Sequence, residues 1–311
     1  MLRRFIGATL LVSLPFAAGA FELTHSEGVV KLANAPQHIV SYDLSVLDSL
    51  TALDVPVVGV PKSQYKGAMA RYQDAPVVGT LFEPDHDALA ALKPDLIFAG
   101  GRSARAIPEL QKLAPVAVFN ADTDAFMASF NANNLALAKA FGKEKAAKKQ
   151  LKRINANVKK VQKLNKGQTG AFLFVINNNV MAHAPGDRFG YAYELTGLTS
   201  VLPPADTSAA RAARPEPGSP EAKAAQLERA KVISSIAQAE PDWLVVLDRG
   251  AINGAEKTAA NTLANHPELS QTKAFKASKV FYVDPNPWYV ISGGLNNVEG
   301  ITKEILRSMK R

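Results

Sequence analysis

The chain has 311 residues, 47% apolar and 21% charged, a composition that excludes wholesale disorder. Its formal charge is +8, but aromatic content is only 7% and no dense Arg/Lys–aromatic interleaving occurs, which argues against a nucleic-acid partner. It contains no cysteine, so neither a disulfide framework nor a lipid-anchoring cysteine is expected.

The first twenty residues read as a secretory signal peptide. Arg3 and Arg4 form a basic start, a mostly apolar run covers 5–18, and Ala18-Gly19-Ala20 supplies small residues at a cleavage site, with a mature start near Phe21. The run falls short of the roughly 20 apolar residues a bilayer span needs, which leaves a membrane anchor as the lesser alternative. The mature protein is therefore expected free in the periplasm, without stable membrane insertion and not as a lipoprotein. Removing 1–20 takes two arginines and no acid, so 291 residues remain with a charge of +6. A moderately basic exported protein can meet an anionic membrane surface or an anionic small ligand.

Strand and helix signals then alternate. Ile39-Val40-Ser41-Tyr42 reads as a short strand, and 44–53 has helical spacing with Ser45 as its cap. Val57-Val58-Gly59-Val60, closed by Pro61, and Val77-Val78-Gly79 read as strands, and 84–92 as a helix. Leu96-Ile97-Phe98-Ala99 is an all-apolar strand of the buried kind, ending at Gly100-Gly101. A helix over 107–113 and the strand Val116-Ala117-Val118-Phe119 follow. From 124 to 163 the pattern is one long helical region interrupted near Gly142, with Leu151, Ile154, Val158 and Val161 three and four apart. Strands recur at 171–176, 244–247 and 280–283, with helices between them and a last helix over 297–309.

Strands separated by helices predict βαβ units and parallel sheets. The economical architecture is α/β, with two Rossmann-like lobes joined by one long helix and a ligand cleft between them. The expected divisions are an N-terminal lobe over 21–141, a connecting helix over 142–166 and a C-terminal lobe over 167–311. A helix of about 20 residues spans some 30 Å and makes a stiff spacer, so little domain motion is expected. An insertion at 205–225, rich in Ala, Pro, Ser and Glu, reads as a long mobile loop, either a surface excursion or a lid over a ligand.

Ligands of open α/β sheets bind beyond the carboxyl ends of the strands, and three arginines occupy such positions. Arg102 follows 96–99, Arg188 follows the strand at 171–176 and its Asn-rich loop, and Arg249 follows 244–247. Singly, each reads as a solvated or ion-paired surface residue. Together they suggest a cleft that collects negative charge, because a guanidinium donates several hydrogen bonds to oxygens while stacking on an aromatic ring. Asp284-Pro285-Asn286-Pro287-Trp288-Tyr289 also follows a strand and precedes Ser292-Gly293-Gly294. Tyr289 offers an oxygen to a hard cation and Trp288 a packing surface beneath it; the competing reading is an aromatic plug on the C-terminal lobe.

These residues carry a family resemblance. The chain resembles a periplasmic siderophore-binding protein of the class with a rigid helical backbone, in the branch that captures ferric catecholates for an ABC importer. The likeness runs through "VVGVPK", "ALKPDLIFAGGR", "AFGKEKAA", "GDRFG", "PDWLVVLDRG" and "VDPNPWYVISGG". It implies that Arg102, Arg188 and Arg249 cradle catecholate oxygens, that Trp288 belongs to the ligand-binding group, and that Tyr289 completes the coordination sphere of Fe(III). The cargo is then a ferric siderophore, with no intrinsic cofactor and no enzymatic activity. A ferric tris-catecholate carries about three negative charges, which three guanidinium groups match.

One departure stands out. Relatives that bind iron directly carry a His-Gly pair before the helix leading into "PDWLVVLDR", whereas this chain reads Gln226-Leu227-Glu228-Arg229-Ala230-Lys231. Among its five histidines, His25, His38, His86, His183 and His266, only His183 lies near a triad residue in sequence. By the same resemblance a monomer docks on a membrane permease through surface carboxylates, with Glu83, Asp85 and Asp87 as candidates. A binding protein for haem or a corrinoid is the alternative. An exported hydrolase is the weakest reading, because the chain lacks a Gly-x-Ser-x-Gly elbow and a His-Glu-x-x-His pair.

Overall fold

Residues 20–206 and 215–310 are described by the structure, a computed structural model. The expected signal peptide (all but Ala20) and positions 207–214 of the expected loop lie outside them. The N-terminal half opens with an antiparallel hairpin, β1 (Phe21–His25) and β2 (Gly28–Leu32), that the sequence reading missed. Phe21, Leu23 and Val30 point inward while their neighbours face solvent, the alternation of a sheet buried on one side.

A parallel sheet follows. β3 (Ile39–Ser41) leads into α1 (Leu44–Ala52), α2 (His86–Leu92) into β4 (Leu96–Phe98), and α3 (Ile107–Leu110) into β5 (Val116–Ala117). The strands lie in the order β3-β4-β5, and every residue of β3 and β4 is buried. The expected strands at 57–60 and 77–79 are reduced to the single parallel bridges Val40–Gly59 and Val60–Val77. Pro61 and Pro76 have no amide hydrogen to extend a ladder there. Helix α1 is capped by Asp43 rather than Ser45: Asp43 Oδ1 accepts from the amides of Ser45 (2.8 Å) and Val46 (3.2 Å). The Ser45 hydroxyl instead donates to the same oxygen at 2.7 Å.

The helical region splits at Gly142 (φ +63°) into α4 (Phe126–Ala140) and α5 (Glu144–Leu164). Leu151, Ile154, Val158 and Val161 form the buried stripe of α5, and the lysines between them stay in water. At about 1.5 Å per residue this helix is roughly 31 Å long. It is packed along its length against α4 and against the last helix of the chain.

The C-terminal half carries a mixed sheet. β6 (Thr169–Ile176) and β7 (Asn179–His183) form an antiparallel hairpin, followed by α6 (Tyr191–Thr196), β8 (Thr199–Ser200) and α7 (Pro220–Gln238). β9 (Trp243–Asp248), α8 (Ala259–Ala264), α9 (Lys273–Lys276), β10 (Val280–Val283) and α10 (Leu295–Ser308) complete it. The strands run β10-β9-β6-β7, with β8 parallel to β6, so the fold is α/β with two lobes. The expected loop ends earlier than 225. Ser219 caps α7 by accepting from the Ala222 amide at 3.1 Å, and Pro220 and Glu221 suit a first turn. Only Ile233 and Ile236 of α7 are buried, so its leading turns stand clear of the core.

One apolar core runs through both halves. It joins Phe21, Leu96 and Phe98 to the α5 stripe, and onward to Phe172, Trp243, Trp288, Val298 and Ile301.

Candidate functional site

Each functional side chain leaves a strand end. Arg102 sits on a 3-10 turn (Gly101–Ala106) after β4, and Arg188 in the loop between β7 and α6. Arg249 opens a second 3-10 turn (Arg249–Gly254) after β9. Asp248 fixes that turn, with Oδ1 accepting from the Gly250 amide (3.0 Å) and Oδ2 from the amides of Thr258 (2.6 Å) and Ala259 (2.8 Å). Tyr289 lies in a π-helical turn (Asn286–Ile291) after β10. Such turns interrupt regular packing and aim a side chain away from the helix line.

The four residues converge. The guanidinium carbons of Arg102, Arg188 and Arg249 lie 5.3, 5.1 and 5.7 Å from the centre of the Tyr289 ring. Arg249 Nε donates to the Tyr289 hydroxyl at 3.4 Å. Burial pushes the Tyr289 phenol up, but the Arg249 hydrogen bond and the charges of Arg249, Arg188 and Arg102 outweigh it and hold it below the ordinary tyrosine value. Among the described residues none of the three arginines forms an ion pair. Three uncompensated cations around a half-buried phenol make a site for an anion rather than for a bare metal ion.

A supporting layer holds Tyr289 in place. Its ring packs on Phe174 (5.7 Å) and Phe189 (5.8 Å). Trp288 is fully buried; its indole N–H donates to Glu304 Oε2 at 3.0 Å, and its carbonyl accepts from the Tyr191 hydroxyl. The expectation that Trp288 touches ligand is therefore corrected, because its ring faces Phe172, Tyr191 and Phe281 in the core. It is the platform under the turn.

Arg102 and Arg188 also line a cleft of about 1280 Å³ between the halves. One wall carries Tyr42, Ser45, Arg105, Phe119 and Asn120, and the other carries Arg188 and residues 290–294. Sequence reasoning missed Arg105, Phe119 and Asn120. The available signal for Arg105 was its position three residues after Arg102. His183 is tied by Nδ1 to Asp187 Oδ2 (2.9 Å) and packs edge-on against Phe189. Gln226 and Arg229, in the segment where the His-Gly pair was sought, line a separate groove with Asn177 and His266. Leu227 is exposed on α7. Glu83 lies at the rim of the main cleft. Exposed Asp85 caps α2 by accepting from the amides of Asp87 (3.1 Å) and Ala88 (3.0 Å), and Asp87 occupies the first turn.

A family profile described as "Periplasmic binding protein" matches residues 39–287. The ferric-anguibactin-binding protein FatB of Vibrio anguillarum is 30% identical over 298 residues, covering 92% of this chain and 86% of FatB. The petrobactin-binding protein YclQ of Bacillus subtilis is 29% identical over 289 residues, covering 90% of this chain and 85% of YclQ. The YclQ crystal structure superimposes with a TM-score of 0.79 at 25% identity, covering 94% of this chain and 99% of YclQ. The periplasmic catecholate-siderophore binding protein VctP of Vibrio cholerae superimposes with a TM-score of 0.77 at 23% identity, covering 93% of this chain and all of VctP, and supports the fold alone.

Proposed function

The chain belongs to the periplasmic binding protein family, and from that premise we propose that it captures a ferric catecholate siderophore and delivers it to an ABC importer. The observation that carries this reading is the ring of three guanidinium groups around Tyr289, none of them in an ion pair among the described residues. Catecholate oxygens bound to Fe(III) are strong acceptors, and each guanidinium offers them several donors in one plane. The name of FatB, a ferric-anguibactin-binding protein, supports an iron complex as cargo.

Tyr289 adds an oxygen ligand. Ferric iron is hard and favours oxygen donors, and a phenol already biased toward its anion is the easier to deprotonate on approach to the metal. A hexadentate tris-catecholate fills every iron position and leaves Tyr289 outside. A tetradentate bis-catecholate leaves two positions open, one of which Tyr289 takes. The protein acts as a monomer in the periplasm, and Glu83 and Asp87, exposed beside the cleft, are its permease-docking carboxylates on the N-terminal lobe.

The test is a spectrophotometric titration of wild type and Tyr289→Phe with a ferric tris-catecholate and a ferric bis-catecholate. The expected result is little change for the first, with lost affinity and a shifted charge-transfer band for the second. No binding of either complex by wild type overturns the catecholate reading. Identical spectra and affinities with the bis-catecholate reduce Tyr289 to a packing residue.

A further inference from the structure

Arg102 and Arg105 leave the same 3-10 turn, Gly101–Ala106. With three residues per turn, side chains at i and i+3 eclipse one another, and both arginines line the cleft. Their commitments differ. Arg102 Nη1 donates to the carbonyl of Val290 at 3.0 Å, and Nη2 to the carbonyl of Tyr289 at 2.7 Å. Both bonds cross from one lobe to the other. Both acceptors lie at the C-terminal end of the π-helical turn, where carbonyls lack helical partners and a cation is favoured. The guanidinium also covers the Tyr289 ring, so it grips that residue by backbone and side chain together.

Arg105 is exposed and has no hydrogen-bond or ion-pair partner among the described residues. Two acids on its wall are engaged elsewhere. Both oxygens of Glu109 lie 2.8 Å from Lys112 Nζ, and Asp43 Oδ1 caps α1. The third acid, Glu83, stands at the rim.

We propose that Arg102, besides facing the ligand, is a bracket that fixes the two lobes and the Tyr289 turn in register, and that Arg105 is a second cation the N-terminal lobe extends to the anionic ligand. The Arg105 half of this assignment rests on the ferric catecholate reading; the bracket half does not. Two of the five N–H donors of Arg102 are thus spent on the turn, and its neighbour one turn on adds a second charge to the N-terminal wall.

The experiment pairs Arg105→Gln with Arg102→Gln and Arg102→Lys, each read in the apo protein and with a ferric bis-catecholate as probe. Arg105→Gln is expected to weaken probe binding about tenfold, the effect of one charge-assisted contact, with the apo melting temperature unchanged. Arg102→Gln is expected to lower the apo melting temperature by several degrees and to raise the titration point of Tyr289. Arg102→Lys keeps the charge but loses the two-pronged grip, so it should melt early too while Tyr289 titrates near its wild-type point. Unchanged affinity in Arg105→Gln overturns the ligand assignment. Wild-type apo melting in both Arg102 variants overturns the bracket. Should wild type ignore the probe, the catecholate reading and the Arg105 assignment fail together, while the apo measurements still decide the bracket.

Discussion

Tyr289 sits between opposed influences. Burial alone favours the neutral phenol, whereas the hydrogen bond from Arg249 and the three guanidinium charges favour the phenolate and prevail. A phenol with a folded-state pKa below its unfolded value stabilises the fold above the unfolded value, and that contribution fades as pH falls through the folded one. The effect therefore belongs to the alkaline range. What the lowered value changes near neutral pH is the readiness to give up a proton to an incoming metal. The Tyr289 phenol is expected to titrate below an ordinary tyrosine, and Arg249→Ala, which removes its hydrogen bond, to move it upward. Ultraviolet difference titration of wild type against Tyr289→Phe isolates this group from the six other tyrosines, so the comparison is repeated in the Arg249→Ala background. An ordinary titration point in both backgrounds would show that the guanidinium ring exerts no field on the phenol.

Helix α10 begins against the other lobe, and that junction has its own pH signature. The Leu295 amide donates to Ser49 Oγ at 3.2 Å, and the amides of Asn296 and Asn297 donate to Asp48 Oδ2 at 2.8 and 3.0 Å. Two side chains of α1 thus satisfy three first-turn donors of α10. Gly294 permits the approach, because its φ is +82° and a Cβ there would stand 2.5 Å from Asp48 Oδ2. Burial pushes the Asp48 carboxyl up to about 6 from 3.8, against the opposing pull of its amide donors. Between those values the folded state holds more proton than the unfolded one, so this group makes stability fall as pH rises through the window. Asp48→Asn should flatten that slope, seen as the difference between wild-type and variant urea midpoints from about pH 3.8 to about 6. An unchanged difference across the window would mean Asp48 is not desolvated. None of this was legible beforehand, since the sequence gives no sign that α1 and α10 meet. The strands β4, β6, β9 and β10 were legible, because an all-apolar run bounded by Gly, Pro or charge has few other uses. The β1–β2 hairpin was not, as its Ser26-Glu27 turn lacks the usual glycine or asparagine pair. The arginines after strand ends were visible as candidates. The burial of Trp288 and the placing of Arg102 and Arg105 on one turn that lines the cleft needed the π and 3-10 turns, which local spacing does not announce.

Across the whole molecule, the halves are joined at more places than the chain crosses between them. α5 is embedded in a core that reaches from Phe21 to Met309 rather than standing free as a spacer. Arg153 on α5 pairs with Glu299 on α10 at 3.0 Å, and Lys303 reaches the same carboxylate at 2.8 Å. α4 meets α6 where Phe126 stacks on Tyr191 at 4.9 Å and the Met127 amide donates to Glu194 at 3.2 Å. The Asp48 junction and the Arg102 bonds close the remaining sides around the cleft. Swinging one lobe against the other would break several of these contacts together, including buried hydrogen bonds that each cost about 1–3 kcal/mol when left unmade. The cleft is therefore preformed, and ligand should enter it without a closing motion. Small-angle scattering of the apo protein and of the protein saturated with a ferric catecholate should give the same radius of gyration. A measurable contraction on saturation would mean that the lobes hinge, and that the bonds across the cleft open and reform in each cycle of capture and release.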